Sequence, residues 1–236
     1  RYEYISWNRF YRLSGVLFGR ITDSGFEPDL VVAIARGGYP VARVLADFFG
    51  LMDLVSLKVE HYRGPNRQAD TVVPYPLPLS VAGRRVLLVD DVSDSGDTFD
   101  AALDELARHG EPAAIRTAVL HHKQTSRHLP DYFAQRVREW RWITYPWALV
   151  EDLSGIVARM TPIPTDAAEL VRRVADESGL RPPQSVLAEV AQQLGNGRVR
   201  AVCLKPTDGL KRGTPVRNTG HGIQVPVGDK VLGHVW

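Results

Sequence analysis

The sequence lacks the features that mark secreted and membrane proteins. It has one cysteine in 236 residues, Cys203, so no internal disulfide forms and a reducing, cytoplasmic setting is expected. No apolar run approaches the roughly 18 residues that cross a bilayer, so no membrane partner is expected. The N-terminus shows no charged-then-apolar signal peptide. The sequence begins at Arg1 rather than Met, so a signal peptide removed before this residue remains an alternative.

The overall composition is that of a folded globular protein. Hydrophobic residues make up 44% and charged residues 24%, values that exclude a disordered chain, a collagen-like fibre and a coiled coil. The length predicts about one and a half domains. The net charge of +2 hides an asymmetry, because residues 191–236 hold 7 Lys and Arg against 2 Asp and Glu, whereas residues 1–190 hold 22 against 25. Two pieces of different origin are therefore expected. The basic tail lacks interleaved aromatic residues, so nucleic acid is not an expected partner.

Short apolar runs alternate with amphipathic segments through the first 120 residues. The runs are typical of strands buried on both faces, and they lie at residues 30–34, 54–59, 85–89 and 114–120. The segments between them have helical spacing, and a further helix over residues 5–21 precedes them. This alternation predicts an α/β domain with a parallel sheet flanked by helices.

Three further segments have weaker patterns. Residues 60–79 contain four prolines, and a loop of this length is usually a lid over a site or disordered. Residues 131–147 are aromatic-rich and are predicted to be irregular. Apolar residues from Ala167 to Val174 predict another helix, with Thr165 as its N-cap.

The acidic loop at residues 90–98 follows one buried run and leads into a helix. Ser95, Gly96 and Thr98 would present backbone N–H groups and hydroxyls at a helix N-terminus, where phosphate binds well. A bare anion would not favour the four carboxylates of the same loop, which are Asp90, Asp91, Asp94 and Asp97. They suit a ligand that also has hydroxyls, a metal ion or developing positive charge, such as a phosphorylated sugar with magnesium pyrophosphate. The alternative is an Asx-rich surface turn with solvated charges.

Two motifs identify a family resemblance. VLLVDDVSDSGDT at residues 86–98 resembles the phosphoribosyl-pyrophosphate (PRPP) signature of the type I phosphoribosyltransferases. ARGG at residues 35–38 resembles that family's pyrophosphate-binding loop, and residues 60–79 lie where the family has its flexible catalytic loop. The resemblance covers about residues 1–160. It implies the type I fold with a small hood, transfer of ribose 5-phosphate from PRPP to a base, and a Mg²⁺ cofactor.

The resemblance also implies a role for each residue at a matching position. Asp90 and Asp91 would bind the ribose hydroxyls and the metal, directly or through water, and Asp94 would exchange a proton with N7 of the base. The 5′-phosphate would be held by Ser95, Gly96, Asp97 and Thr98. Arg36 and Gly37 would contact pyrophosphate, in a loop where the family often has a non-proline cis peptide. Lys58 is either a further pyrophosphate contact or a solvated lysine at a strand end.

The base is predicted from two other sites. WITYPW at residues 142–147 is similar to a stretch in purine phosphoribosyltransferases that use xanthine, guanine or hypoxanthine. By this resemblance Trp142 would stack on the purine and the backbone of Ile143 would contact its 2-position edge, while Trp147 would pack in the interior. The alternative is an aromatic cluster with a purely structural role. Lys123, after the fourth strand, would donate to O6 of a 6-oxopurine and repel the amino group of adenine, or is a solvated loop lysine. His121 and His122 are interpreted as loop residues without metal-ligand spacing.

The tail resembles a different family. Stretches at residues 199–202, 206–216, 218–220, 223–228 and 232–235 look like the N-terminal β-barrel of the rotary ATP synthase β subunit, over about residues 186–236. The chain contains no Gly-x4-Gly-Lys-Ser/Thr phosphate loop, so the tail implies no ATPase activity. Residues 186–194 have helical apolar spacing although the barrel family has a strand there, and a helix is favoured.

These patterns together predict three regions and one activity. The regions are a phosphoribosyltransferase domain at 1–160, a C-terminal helical extension at 161–194 and a β-rich fragment at 195–236. The activity is transfer of ribose 5-phosphate from PRPP to hypoxanthine, guanine or xanthine, in purine salvage. The alternative is a non-catalytic PRPP- or nucleotide-sensing protein on the same fold. The family implies a homo-oligomer, a dimer or a tetramer.

Overall fold

The computed structural model describes residues 2–63, 69–164, 166–179, 188–196 and 198–203. The chain divides into two units, Arg1–Leu180 and Arg181–Trp236. In the first unit the helices are α1 Trp7–Asp23, α2 Gly38–Phe49, α3 Asp97–Arg108, α4 Leu149–Val157 and α5 Ala167–Ser178. Its strands are β1 Tyr2–Tyr4, β2 Leu30–Ala35, β3 Leu54–Arg63, β4 Ala69–Tyr75, β5 Arg85–Ser93, β6 Ala114–Lys123, β7 Tyr132–Val137 and β8 Trp142–Thr144.

The centre of the first unit is a mainly parallel sheet with the strand order β4-β3-β2-β5-β6-β7. Strands β3, β2, β5, β6 and β7 run parallel to one another, and the edge strand β4 runs antiparallel to β3. Successive residues of β2 enter different cores, because Val31 and Ala33 pack in the cluster with α1 and α2, whereas Val32 and Ile34 pack in the cluster with α3. Burial on both faces explains the continuous apolar runs and confirms the predicted α/β class.

The segment at residues 60–79 is not the single loop that its prolines predicted. Strand β3 continues to Arg63, four residues beyond its apolar run, and pairs with β4 in an antiparallel hairpin. Residues 64–68, between the two strands in sequence, lie outside the described residues. Backbone hydrogen bonds to β4 extend β3 beyond residue 59, where the side-chain pattern alone predicts no strand. Pro74 fits because β4 is an edge strand, where a missing N–H is tolerated.

The strands on the other side of the sheet are also longer than predicted. The interpretation of His121 and His122 as loop residues is wrong, since both lie in β6 and are buried. Lys123, predicted to follow the fourth strand, is the last residue of β6 and is also buried, so the alternative of a solvated loop lysine is wrong. Each of the three has a register partner in β7, and the two histidines also have partners in β5. Pairing on two sides stabilises a strand whose polar residues have weak intrinsic preference for one. The predicted irregular segment 131–147 contains β7 and β8.

Strand β8 pairs in parallel with β1, so residues 2–4 lie beside residues 142–144. A small third core then forms near these strands, in which Ile156, Met160 and Val174 pack with Tyr2 and Tyr4. The predicted helix after Ala167 is confirmed as α5. Its predicted cap, Thr165, lies outside the described residues.

The second unit contains a described antiparallel pair, β9 Ala188–Gly195 and β10 Arg198–Cys203. The predicted helix over residues 186–194 is therefore wrong. Apolar spacing favours a helix only where one helical face is buried, and here Val190 is 54% and Leu194 47% exposed, while β10 supplies backbone partners. Residues 204–236 lie outside the described residues, so most stretches of the barrel resemblance do too. None of the helices among the described residues has the length and apolar character needed to traverse a bilayer.

Candidate active site

Most of the predicted site residues lie at one edge of the sheet, whereas Trp142 and Ile143 lie in β8, outside it. Strands β2, β5 and β6 are parallel, so their carboxyl ends lie at the same edge, and the chain leaves β2 toward β3 on one side while β5 lies on the other. Ligands of open α/β sheets bind at such a reversal of strand order. A cavity of about 220 Å³ lies here and is lined by Asp90, Asp91, Val92, Ser93, Asp94, Ser95, Gly96, Thr98 and Phe99.

The loop after β2 packs tightly against β5. The peptide between Ala35 and Arg36 is cis, as the family resemblance led us to expect. A Cβ atom on Gly37 would overlap the carboxylate of Asp91, and one on Gly38 would overlap the backbone of Val89. Both positions therefore need glycine for the close approach of the two loops. The approach brings the predicted pyrophosphate loop next to the predicted ribose-binding carboxylates.

Asp90 and Asp91 form a buried acidic pair at the end of β5. Asp90 is 8% exposed, and its Oδ1 accepts a hydrogen bond of 2.8 Å from the backbone N–H of Asp91. Burial, followed by the charge of Asp91, raises the pKa of Asp90 well above its usual range. Burial also raises the pKa of Asp91, to about 6, with the Trp147 indole N–H and backbone N–H groups opposing the rise. The pair therefore favours a positively charged ligand, which would lower both pKa values.

The acidic pair fits a Mg²⁺ ion that also binds the substrate. Magnesium usually keeps several waters and takes one or two protein carboxylates together with substrate oxygens. Among the described residues no group of three or more His, Cys, Asp and Glu side chains is arranged to hold a metal. Asp90 and Asp91 are the two carboxylates that could hold such an ion, which would take its other ligands from water and a substrate.

The predicted phosphate loop is the turn into α3. Gly96 has a φ of 101°, and a Cβ atom there would lie 2.7 Å from the backbone nitrogen of His128. Ser95 Oγ donates to Asp97 Oδ2 at 2.9 Å, and the carbonyl oxygen of Ser95 accepts from the backbone N–H of Arg127 at 2.9 Å. The Arg127 guanidinium pairs with Asp97. This ion pair neutralises a carboxylate that would otherwise repel a phosphate at the helix N-terminus.

Asp94 and Lys123 are brought together although 29 residues separate them. Lys123 Nζ lies 2.6 Å from Asp94 Oδ2, and the Trp140 ring centroid is 4.8 Å from the same nitrogen. The lysine side chain is only 4% exposed, against 43% for that of Asp94. The ammonium is therefore held between a carboxylate and an aromatic face at the end of β6.

Trp142 and Ile143 begin the short strand β8. The Trp142 side chain is 44% exposed, whereas Ile143 is 8% exposed and pairs with Glu3 of β1. Trp147 packs on Phe10, with ring centroids 5.0 Å apart, and stacks on Tyr145 at 4.9 Å, in line with its predicted packing role. Trp142 is therefore the exposed aromatic ring of this segment, and Trp147 packs against Phe10 and Tyr145.

The remaining two predicted residues are cations paired with acidic neighbours. Arg36 donates to Glu151 of α4 at 2.6 Å, with both side chains largely exposed. Lys58 pairs with Glu60 and lies 5.3 Å from the Tyr75 ring centroid. Because β2 and β3 are in register, Lys58 is the partner of Ala35, beside the cis peptide. Exposed pairs of this kind are weak, so phosphate oxygens can replace the carboxylates.

Comparison with known proteins decides the family. Residues 3–152 match the phosphoribosyl transferase domain. The chain belongs to this family. Among solved structures, a purine phosphoribosyltransferase from Pyrococcus horikoshii Ot3 is 29% identical, with a TM-score of 0.56 over 62% of this chain and 93% of that one.

Two further structures share the phosphoribosyltransferase fold at lower identity. The xanthine-guanine-hypoxanthine phosphoribosyltransferase of Helicobacter pylori is 20% identical, with a TM-score of 0.55 over 66% of this chain and 98% of that one. A hypothetical protein from Neisseria gonorrhoeae with bound ppGpp is 24% identical, with a TM-score of 0.55 over 75% of this chain and 97% of that one. At these identities the likeness shows the fold alone.

The tail matches a second family. Residues 171–220 match the β-barrel domain of the ATP synthase alpha/beta family, which confirms the resemblance noted in the sequence. The match begins at residue 171, inside helix α5, so its first residues do not have the β-structure of a barrel. The described strand pair begins at Ala188. The two families thus meet in one chain, with the barrel match confined to its C-terminal part.

Three side chains of the phosphoribosyltransferase site were missed by reasoning from sequence. Arg127 and Trp140 reach it from the turns that follow β6 and β7, and the only local signal was a basic or aromatic residue near a strand end. Tyr145 is 2% exposed, and its hydroxyl donates to the backbone carbonyl of Asp91 at 2.8 Å. No sequence pattern marks that contact, because it joins residues 54 positions apart.

Proposed function

We propose that this phosphoribosyltransferase transfers ribose 5-phosphate from PRPP to N9 of a 6-oxopurine, with Mg²⁺, and releases pyrophosphate. The base would be hypoxanthine, guanine or xanthine, and the product its nucleoside 5′-monophosphate. The observation that carries the proposal is the pair of Asp94 and Lys123, with Oδ2 and Nζ 2.6 Å apart.

This pair complements one edge of a 6-oxopurine. That edge presents the carbonyl oxygen O6, an acceptor, beside N7, which carries a proton in one tautomer. The Lys123 ammonium donates only, so it suits O6, and the Asp94 carboxylate accepts only, so it suits N7–H. Adenine offers an amino donor at position 6, which would leave a buried ammonium facing N–H groups. The Pyrococcus horikoshii relative is a purine phosphoribosyltransferase, which supports a purine as the base.

The acidic pair and the two loops would hold the other substrate. The 5′-phosphate binds at residues 95–98, where α3 begins, and the ribose hydroxyls donate to Asp90 and Asp91. Arg36, Gly37 and Lys58 bind the pyrophosphate group at the end of β2 and β3. Bound Mg²⁺ would neutralise the charge of the leaving pyrophosphate. The buried carboxylates also stabilise the positive charge that develops on the ribose ring.

The transfer then needs one bond to break and one to form at C1′. The C1′–O bond breaks, and its electron pair leaves on the pyrophosphate oxygen. The lone pair of N9 forms the new bond from the opposite face, which inverts the configuration at C1′, and Asp94 takes the proton from N7. Trp142 holds the base by stacking while the backbone of Ile143 contacts its 2-position edge. Residues 60–79, where the family has its flexible catalytic loop, would exclude water from the site.

The test is an assay of the purified protein with PRPP, Mg²⁺ and each of hypoxanthine, guanine, xanthine, adenine, uracil and orotate. We expect product from the 6-oxopurines. Asp94→Asn should lower kcat far more than it weakens PRPP binding, because the amide cannot take the N7 proton. Asp47→Asn, on the exposed Arg43–Asp47 pair of α2, is the matched control and should change neither. Product from adenine alone would contradict the role of Lys123.

The second candidate is a PRPP- or nucleotide-sensing protein without catalysis. One structure of this fold, the hypothetical protein from Neisseria gonorrhoeae, contains ppGpp. A sensor would need the phosphate loop but would have no use for a proton-accepting Asp94 beside a buried lysine, so the site favours the enzyme. PRPP binding without turnover of any base would support the sensor instead.

We also propose that the enzyme acts in the cytoplasm, in purine salvage, as a homo-oligomer of two or four chains. Support for association comes from α1, where the aromatic side chains of Trp7 and Tyr11 are 41% and 59% exposed. Light scattering of the purified chain would give the oligomeric state, and a monomer at assay concentration would contradict this part.

A further inference from the structure

A buried chain of hydrogen bonds leads from β6 to the acidic pair. His121 is fully buried, and its Nδ1 lies 2.8 Å from the hydroxyl oxygen of Tyr145. That hydroxyl lies 2.8 Å from the backbone carbonyl oxygen of Asp91. A carbonyl oxygen can only accept, so the single hydroxyl hydrogen points to Asp91 and the phenol oxygen accepts from His121. The two contacts therefore exist together only if neutral His121 carries its proton on Nδ1.

The ring of Tyr145 is fixed independently of its hydroxyl. It is stacked on Trp147 with an interplanar angle of 4°, and the Trp147 ring packs in turn on Phe10. Tyr145 also follows directly after β8, the strand that begins with Trp142 and Ile143. Its backbone is thus continuous with the predicted base-binding strand, while its hydroxyl reaches the predicted ribose- and metal-binding residues.

Asp91 is held at its backbone as well as at its side chain. Its carboxylate packs against Gly37, so closely that no Cβ atom fits between them. Its backbone N–H donates to Asp90 Oδ1 at 2.8 Å. A rotation of the backbone at Asp91 would therefore displace both carboxylates, and the hydrogen bond from Tyr145 to the Asp91 carbonyl opposes that rotation.

We infer that Tyr145 is a positioning residue, which holds Asp91, and through it Asp90, in the orientation that binds the ribose hydroxyls and metal of PRPP. It also links that orientation to β8, where the base binds. The inference rests on the proposed function for what the acidic pair binds. Tyr145 touches no substrate itself, and its hydroxyl acts through the Asp91 carbonyl.

The test is Tyr145→Phe, which removes the hydroxyl and keeps the stacked ring. The matched control is Tyr132→Phe on β7, whose hydroxyl lies 2.7 Å from Ser24 Oγ at the end of α1. Binding of PRPP with Mg²⁺ is measured by calorimetry, at a temperature where melting curves show both variants folded. We expect Tyr145→Phe to bind about tenfold more weakly than wild type, the effect of one lost buried hydrogen bond, and Tyr132→Phe to bind within about twofold.

A second measurement needs no variant. Nitrogen-15 chemical shifts of the His121 ring in the wild-type protein report which nitrogen is protonated. We expect the neutral Nδ1–H form. The Nε2–H form would overturn the inference, because Nδ1 would then accept the hydroxyl hydrogen and leave none for Asp91.

The outcomes separate this inference from the proposed function. Equal PRPP affinity in the two phenylalanine variants overturns the positioning role, whether or not the wild type turns over any base. Absence of turnover by a wild type that binds PRPP contradicts the proposed function only, and the affinities of the two variants still decide the inference. A wild type that does not bind PRPP refutes both.

Discussion

Replacing Lys123 by methionine should abolish the preference for 6-oxopurines while leaving the fold intact. Methionine keeps the length and apolar character of the lysine stem but removes the ammonium. The lost contact is a charge-assisted hydrogen bond to O6, and such bonds contribute about 1.5–3 kcal/mol. Because the Lys123 side chain is only 4% exposed, water replaces the ammonium poorly, and the upper part of that range applies.

The expected effect is therefore a loss of roughly 100-fold in kcat/KM for hypoxanthine, the equivalent of about 3 kcal/mol. The effect on adenine should be small, because no favourable contact to its amino group is lost. The free energy of unfolding, measured in urea, should change by less than about 1 kcal/mol, because the partner Asp94 is 43% exposed and its carboxylate regains hydration. Steady-state kinetics with both bases and a urea titration measure these quantities.

Lys58→Met is the control for the loss of a positive charge near the substrates. Lys58 lies beside the predicted pyrophosphate loop, so its loss should lower kcat/KM for PRPP by the same factor with every base. The reasoning would be refuted by an unchanged ratio of hypoxanthine to adenine kcat/KM in Lys123→Met. It would also be refuted if Lys58→Met changed that ratio as much.

Three other predictions concern the loops around the acidic pair. Burial raises the pKa of Asp90 and that of Asp91, the latter to about 6, so protonation of the pair competes with the metal. Calorimetry should find the PRPP–Mg²⁺ affinity falling between pH 7.5 and 5, and a flat profile over that range would contradict this. Gly37→Ala should weaken pyrophosphate binding at least about tenfold, because the new Cβ atom overlaps the Asp91 carboxylate. Gly15→Ala in α1, where the space around the Cβ position is open, should instead raise the free energy of unfolding by up to about 1 kcal/mol. Arg127→Ala should weaken PRPP binding about two- to fivefold in fluorescence or calorimetric titration, because Asp97 loses the largely exposed cation that neutralises it, and an unchanged affinity would argue against that role.

The central layers of the fold were predictable because their signals are local. A continuous apolar run such as residues 30–34 must be buried on both faces, and that requirement alone implies helices on each side of a parallel sheet. The acidic loop at residues 90–98 was recognisable because its predicted phosphate- and ribose-binding groups are consecutive in the chain. The helix over 186–194 was mispredicted for the same reason, since apolar spacing describes one segment and not the strand paired with it.

The tertiary structure decided every feature that depends on a distant partner. The ends of β3 and β6 are set by backbone pairing with β4, β5 and β7, which no side-chain pattern within those strands records. His121 looked like a loop residue in the sequence, yet it is a fully buried strand residue bonded to Tyr145. The amino-acid sequence by itself predicted which residues would bind the phosphate, the ribose and the base. Only the packing of strands far apart in the chain determined how those residues are oriented, because hydrogen bonds such as Tyr145 to Asp91 join residues 54 positions apart.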